Sequence, residues 1–575
     1  MKAPQSILVI FAAATLGLPA LAQDAATNAV AAASTLAPAA VGANVPVAMR
    51  VLVPDNAVAF GMTSPIDELE GVALSIAQDV MPQMAGMMNA DMLLSQALPP
   101  GFDVTAIDRT KPFGFAVGPL SMEAQPQIFV LIPTSNADAI KALIPTEGEF
   151  YSTRAADGYL GITRGLEYPA GTGACALLDG VPSGIAGLSV DVEAIIDAFG
   201  PMIEFGMQMA RMTMADAMAN TPDAAGGMDL NAIMDSYFGM AQNVFDSVET
   251  FKLSVSVEES LVDVRWQTVV SEGSPMASLA GDGATQAAAY MPLLADDSIA
   301  FVFGADAEQL LEKMEPYMNS LFEAYPEGMR EGMLASMDSW KGAYGLFGDA
   351  LAGSGSFTDE GMRFAAYFDG AQFDTLMAKY ESLVTEPFWA SMGMQYVDTQ
   401  KASIGDHQLT RFTFDFDVAN LLQQTGSEAD ADQIKQLEAM MQAMYGNQLV
   451  TTFAKVGDMG VMTLGGGDEY LLEAIQRAGK HSRLSPDMMR LTGLAASSNP
   501  FMAYRFDIGQ LMTQMVPMME QSLGAPSSGL EMFEGTSLPL NLYFGIAPTI
   551  WTGGLMVDVV QAGEFAQMLQ TAGEL

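Results

Sequence analysis

One short motif occurs twice in this chain. Asp296-Asp297-Ser298-Ile299-Ala300-Phe301 repeats the pattern of Asp55-Asn56-Ala57-Val58-Ala59-Phe60 at an offset of 241 residues. At the same offset Leu69 falls on Leu310. A second pair of stretches agrees. Asp191 leads into a helical run with Ile195 and Ile196, and Asp507 into one with Leu511 and Met512. Pro201 and Pro517 each follow their Asp by ten residues. A repeat of this kind reads as one fold written twice, which restricts the architecture more than any composition does. The first copy is expected over 47–272, a Gly/Ala-rich linker over 273–287, and the second copy over 288–575.

Apolar alternation marks the strands. In the first copy these are Val51–Phe60, Pro112–Val117, Gln127–Ile132, Gly158–Thr163, Ala174–Leu178 and a hairpin of Phe251–Val257 with Leu261–Val269, turned at Glu258-Glu259-Ser260. In the second they are Ala343–Phe347, Phe364–Phe368, Leu409–Phe416, Leu449–Ala454, Gly460–Leu464 and a hairpin of Leu540–Ile546 with Gly553–Val560. Ser64 reads as the cap of the first helix with Pro65 in its first turn, and Pro201-Met202 as an interruption of a later one. Strands run straight into helices at Asp191, Asp369, Asp417, Asp507 and Asp558. A carboxylate there can accept from the free N–H groups of the first helical turn, so recurrence points to capping rather than catalysis. Hairpins outnumber regular βαβ spacings. The expected class is α+β, two similar copies, each a curved, mainly antiparallel sheet covered by helices. The start Pro54-Asp55-Asn56-Ala57-Val58-Ala59-Phe60, followed by strand–Asp–helix units, resembles an uncharacterised family of exported bacterial proteins built from a duplicated domain of unknown function. The resemblance implies the twin layout over most of the mature chain. It implies no activity and no site residues.

The N-terminus reads as a targeting signal. Lys2 precedes the apolar run Ile7–Ala22, and Ala20-Leu21-Ala22 before Gln23 fits cleavage after Ala22. Residues 1–22 are therefore expected to be a signal peptide, and 23–46 a flexible Ala/Pro-rich leader. The expected location is the bacterial periplasm or the exterior. No later apolar run is long enough to suggest a transmembrane span after cleavage. A net charge of −44 disfavours nucleic acid and anionic headgroups as partners. Cys175 is the sole cysteine, so no internal disulfide forms, and its apolar setting predicts a buried, inert thiol.

The chain is poor in the residues that reactive sites need. His407 and His481 are its two histidines, too few for His-rich zinc sites and poorly placed for triads. Both are expected at the surface. Gly465-Gly466-Gly467-Asp468 lacks the Lys-Ser/Thr of a phosphate loop and reads as a chain reversal with Asp468 capping a helix. Gly353-Ser354-Gly355-Ser356 lacks the strand–Ser–helix elbow of hydrolases. Asp430-Ala431-Asp432 lacks the Gly and Glu of a calcium loop. No cofactor and no metal site is expected.

Methionine is the anomaly, with 44 residues. Clusters fall at Met81–Met92, Met202–Met218, Met440–Met444 and Met512–Met519. Three uses compete: adaptable core filling, an apolar surface for a lipid-like ligand or partner helix, and thioether binding of Cu(I), which the lack of His and Cys disfavours. The candidate ligand-binding residues are Met207, Met209, Met212, Met214, Met515, Met518 and Met519. The expected function is that of a non-catalytic exported protein binding an apolar ligand or an envelope partner. The alternatives are a hydrolase with a carboxylate site and a self-assembling cell-surface protein. An enzyme requires one copy to diverge at a polar cluster, and the linear sequence displays none.

Overall fold

The computed structural model describes most of residues 45–80, 104–219, 230–322, 342–418, 431–479, 494–514 and 535–573. It is a mixed structure, 38% helical and 39% strand, with a large antiparallel sheet. The stretches expected to be a signal peptide (1–22) and most of a leader (23–46) lie outside the described residues. The chain divides into two compact units. Unit 1 holds Met1–Phe205, Phe245–Ser271 and Ile550–Gln570; unit 2 holds Gly206–Val244, Glu272–Thr549 and Thr571–Leu575.

Unit 1 contains β1 (Ala59–Pro65), α1 (Ile66–Val80), β2 (Pro112–Val117), β3 (Ile128–Pro133), β4 (Tyr151–Ala156), β5 (Tyr159–Arg164) and β6 (Ala186–Asp191). Then come α2 (Val192–Ala219), α3 (Leu230–Ser247), β7 (Val248–Glu258) and β8 (Leu261–Val270), the two helices crossing into residues grouped with unit 2. All pairings are antiparallel, in the order β4-β5-β3-β2-β1-β6-β7-β8. The core gathers Met49, Leu52, Phe60, Phe129, Leu131, Tyr159 and Leu178. Cys175 is buried there, and burial raises the pKa of its thiol.

Unit 2 contains β9 (Ile299–Gly304), α4 (Ala307–Phe322), β10 (Ala350–Thr358), β11 (Gly361–Asp369), α5 (Phe373–Leu383), β12 (Met394–Ile404), β13 (His407–Phe416), α6 (Ala431–Tyr445), β14 (Leu449–Val456), β15 (Met459–Leu464), α7 (Gly467–Ala478), β16 (Phe501–Asp507) and β17 (Pro539–Ala547). Its order is β12-β13-β14-β15-β11-β10-β9-β16-β17, again antiparallel throughout. The core is aromatic. Tyr380 lies 4.8 Å from Phe412 and 4.9 Å from Phe453, ring to ring, with Phe368 and Phe373 stacked beside them. Each such contact adds about 0.5–1.5 kcal/mol beyond area burial. Among the described residues β12 pairs on one side only. Its bulge at Tyr396/Asp398 and the Lys401–Glu381 ion pair guard that open edge against further pairing.

The last strand, β18 (Ile550–Asp558), belongs to unit 1 and pairs antiparallel with β8 from Ile550↔Val269 to Asp558↔Leu261. It continues into α8 (Val559–Gly573).

Several local expectations change. The stretch Ala174–Leu178 is a loop running into a 3-10 turn at Ala176–Asp179, and its apolar residues Cys175, Leu177 and Leu178 are buried in the unit 1 core rather than paired in the sheet. Gly345–Phe347 is likewise a 3-10 turn, and the strand follows at Ala350. Residues Val47–Arg50 form a helical turn, and β1 begins only at Ala59 and runs through Ser64 and Pro65 to the start of α1. Pro201 does not interrupt α2, which continues through it to Ala219. Asp468 is not a cap. Left-handed Gly466 takes that position without a side-chain bond, and Asp468 in the first turn pairs with Arg411 of β13 at 2.5 Å.

Among the described residues the strand–Asp–helix device is present at three junctions: Asp191 accepts from the Ala194 N–H at 2.9 Å, Asp507 from Gln510 at 3.0 Å and Asp558 from Val560 at 2.9 Å. Asp369 instead accepts from Ala371 at 2.9 Å in the turn before α5, whose cap position is taken by Gln372 without a side-chain bond. After Asp417, the stretch beyond Val418 lies outside the described residues. The loop carboxylate Asp55 does similar work, accepting from the Thr172 N–H at 2.9 Å and its hydroxyl at 2.8 Å. These bonds hold its pKa below the ordinary value. The resulting stability is present above the unfolded aspartate range of about 4 and is lost as pH falls through the lower folded value. Asp55→Asn is therefore expected to lower the melting temperature at pH 7 and to flatten its decline between pH 5 and pH 3. A thermal melt series against pH checks this; an unchanged acid slope would remove the role given to Asp55.

Candidate functional site

Two features stand apart from ordinary packing. The first is a stripe on α2. Met202, Phe205, Met209 and Met212 are 60%, 61%, 47% and 65% exposed. Steps of three, four and three residues place all four on one face of a helix, the spacing of a coiled-coil seam. Leaving four such side chains in water is costly, at about 25 cal/mol per Å² of apolar surface. Half of the twelve large apolar residues found exposed among the described residues lie here or on α3, at Val244 and Phe245. The opposite side of α2 faces α3: the Arg211 guanidinium lies 5.0 Å from the centre of the Phe238 ring.

The seven candidate methionines fare differently. Met209 and Met212 belong to the exposed stripe, while Met207 is half-buried and points to the other side of α2. Met214 lies in α2, but its side chain is outside the described residues, as are Met515, Met518 and Met519 altogether. Other methionines fill cores: Met49 and Met291 are fully buried, and Met377 packs among the unit 2 aromatics. Methionine thus has two uses in one chain. Sequence reading did not single out Met202 or Phe205 as site residues. Their signal was there, in the 3-4-3 spacing with Met209 and Met212.

The second feature is a buried polar cluster in unit 2. Asp297 and Ser298 precede β9, Ser354 and Ser356 come from β10, Arg363 and Tyr367 from β11, Tyr470 and Arg477 from α7, and Gln514 from the helical turn 508–514. Arg477 Nη1 donates to the Tyr367 hydroxyl at 3.3 Å and to Ser354 Oγ at 3.4 Å, and lies 4.0 Å from Asp297 Oδ2. That carboxylate oxygen is buried without a hydrogen bond. Tyr470 donates to the Ser354 carbonyl at 3.3 Å, and Arg363 lies over its ring. Ser298 donates to Gln514 Oε1 at 2.7 Å. Burial pushes the Tyr367 hydroxyl up to about 12, and Asp297 adds to the rise, so it stays neutral.

The alternation Gly353-Ser354-Gly355-Ser356 follows from the two faces of β10. A Cβ on Gly353 would meet the Phe364 ring at 2.3 Å, so the glycines admit Phe364, which stacks on Phe301 at 5.7 Å. The serines turn to the polar side. Ser354 Oγ accepts from the Arg477 guanidinium, a permanent cation that cannot take up a proton. The arrangement clamps α7 to the sheet.

Among the described residues no three acidic, histidine or cysteine side chains are grouped to hold a metal ion. No described helix is long and apolar enough to cross a membrane. No family model, curated protein or solved structure matches the chain.

Proposed function

We propose that this chain is an exported, non-catalytic binding protein of the bacterial envelope that docks a polypeptide partner along α2. The observation that carries this is the four-residue apolar stripe standing in water. A convex helical face with seam spacing suits a second helix laid lengthwise better than a small apolar molecule, which needs a concavity. Methionine, flexible and polarizable, suits such a face. Export rests on Lys2, the apolar run to Ala22 and the small residues at the cleavage position. The buried cluster is read as structural. We also read the chain as a duplication. Strand order β4-β5-β3-β2-β1-β6-β7 in unit 1 matches β14-β15-β11-β10-β9-β16-β17 in unit 2, with β12–β13 inserted.

Methionine footprinting with dilute peroxide tests the docking role. In dilute purified protein Met202, Met209 and Met212 are expected to oxidise well ahead of Met49 and Met291. In a gently prepared envelope extract the stripe is expected to be protected, with Met209→Glu/Met212→Glu releasing a bound polypeptide. Equal oxidation in both settings would reject the docking role. A lipid extracted in place of a polypeptide would transfer the stripe to an apolar ligand.

A further inference from the structure

We propose that Met209 and Met212 form a reversible oxidation site for a neutral, oxygen-donating oxidant of the hydrogen peroxide class. Both residues lie in the part of α2 grouped with unit 2, and they are 47% and 65% exposed. Three residues apart on one helix, the two thioethers are surface neighbours.

The rest of the chain leaves this chemistry to thioethers. Two-electron oxidants attack thiolates readily, but Cys175 is buried and burial raises the pKa of its thiol, so little thiolate forms. The net charge of −44 repels oxidising anions and leaves neutral oxidants free to approach. Met49 and Met291 are fully buried, and Met377 packs among aromatic rings. A sulfoxide at any of them would place a strong dipole in a core without a partner. On Met209 and Met212 the added oxygen stands in water, so the fold tolerates it. The same exposure opens the oxidised sulfur to a reductase.

The step is an oxygen transfer. A sulfur lone pair attacks one peroxide oxygen, the O–O bond breaks, and the departing hydroxide takes the proton of the transferred oxygen and leaves as water. Sulfur loses two electrons and the peroxide gains them. A thiol-dependent sulfoxide reductase reverses the step: two thiols become a disulfide and the oxygen leaves as water. Oxidation replaces a flexible apolar side chain with a polar, chiral one. Two such changes make the stripe polar and release a docked polypeptide; this effect, unlike the site itself, rests on the docking role above.

The test treats the full mature chain with a few equivalents of hydrogen peroxide and maps sulfoxides by peptide mass spectrometry. Met209 and Met212 are expected to oxidise at least about tenfold faster than Met49, Met291 and Met377, with the melting temperature unchanged. A pair of reductases, one for each sulfoxide epimer, should restore both thioethers. The same two sulfoxides are expected in protein taken from peroxide-stressed cells that export it, and should be gone after the stress ends. Even oxidation of buried and exposed methionines, sulfoxides that the reductases leave in place, or their absence from stressed cells overturns the site. Met209→Leu/Met212→Leu keeps the stripe apolar and removes both sulfurs. In envelope extract, peroxide should release the docked polypeptide from the wild-type chain and not from this variant. Release from both or from neither overturns the effect on docking. If neither chain carries a polypeptide, the docking role falls, and the mapping and reductase results alone decide the oxidation site.

Discussion

Replacing Arg477 with leucine is expected to destabilise the protein by about 3 kcal/mol, the low end of the cost of breaking a buried ion pair. The loss comes mainly from what is left behind. Asp297 is buried, and its Oδ2 has no hydrogen bond, so the guanidinium 4.0 Å away is the charge that balances it. Arg477 also donates to the Tyr367 hydroxyl and to Ser354. The low end applies because its side chain retains 19% exposure and the pair is not hydrogen-bonded. Asp297→Asn removes the charge and is expected to cost about 1 kcal/mol. The double variant should then cost about 2 kcal/mol rather than the additive value of about 4, a coupling of about 2 kcal/mol in a double-mutant cycle. Urea midpoints measure all four proteins, and hydrogen exchange in Tyr470–Ala478 locates the change. Additive losses would mean that the cluster is a set of separate contacts rather than a charge-balanced clamp.

That cluster shows where reading the sequence stops. Its members are spread from Asp297 to Gln514, and only the antiparallel stacking of β9, β10 and β11 brings them together. On the sequence, Gly353-Ser354-Gly355-Ser356 is a failed hydrolase motif. In the structure it is a strand whose two faces have opposite tasks, making room for Phe364 and supplying hydroxyls to Arg477. If Phe60 and Phe301 are matched, the pairings place Val117 and Val130 of unit 1 where unit 2 has Ser354 and Tyr367. This difference between the two units becomes visible only through strand register. Local signals read well: alternation gave β2, β3, β7, β8, β14 and β15, and the Asp caps followed from short-range chemistry. The pairing of β18 with β8 did not, because nothing near Ile550 encodes a partner nearly 300 residues away. Nor did the length of α2: a helix bears a proline when its tertiary setting tolerates the lost hydrogen bond.

The capping aspartates offer a controlled comparison, since one device appears in two settings. Asp191 is half-buried and accepts from the Ala194 N–H, so Asp191→Ala is expected to cost about 1 kcal/mol, the ordinary value of a cap. Asp507 is fully buried. Its Oδ1 accepts from the N–H groups of Gln510 at 3.0 Å and Leu538 at 2.9 Å, and its Oδ2 accepts from the Ser537 hydroxyl. The same residue's N–H donates to the Ser298 carbonyl at 2.8 Å. Alanine there strips three donors of a charged acceptor, and the buried Leu538 N–H has no water to turn to. The expected cost is about 3–4 kcal/mol, since bonds to a charged group are worth roughly 1.5–3 kcal/mol each and do not add fully. Asp507→Asn keeps one acceptor oxygen and should fall between wild type and alanine. Urea midpoints for the three variants provide the ranking. The consequence should also spread in one direction. The turn 508–514 carries Gln514, which accepts from Ser298 and from the Phe357 N–H. Loosening Asp507 should therefore raise hydrogen exchange at Phe357 on β10, while Asp191→Ala leaves it unchanged. Equal costs for Asp191→Ala and Asp507→Ala would mean that the helix cap alone sets the value, and that the buried network around Ser298 adds nothing to it.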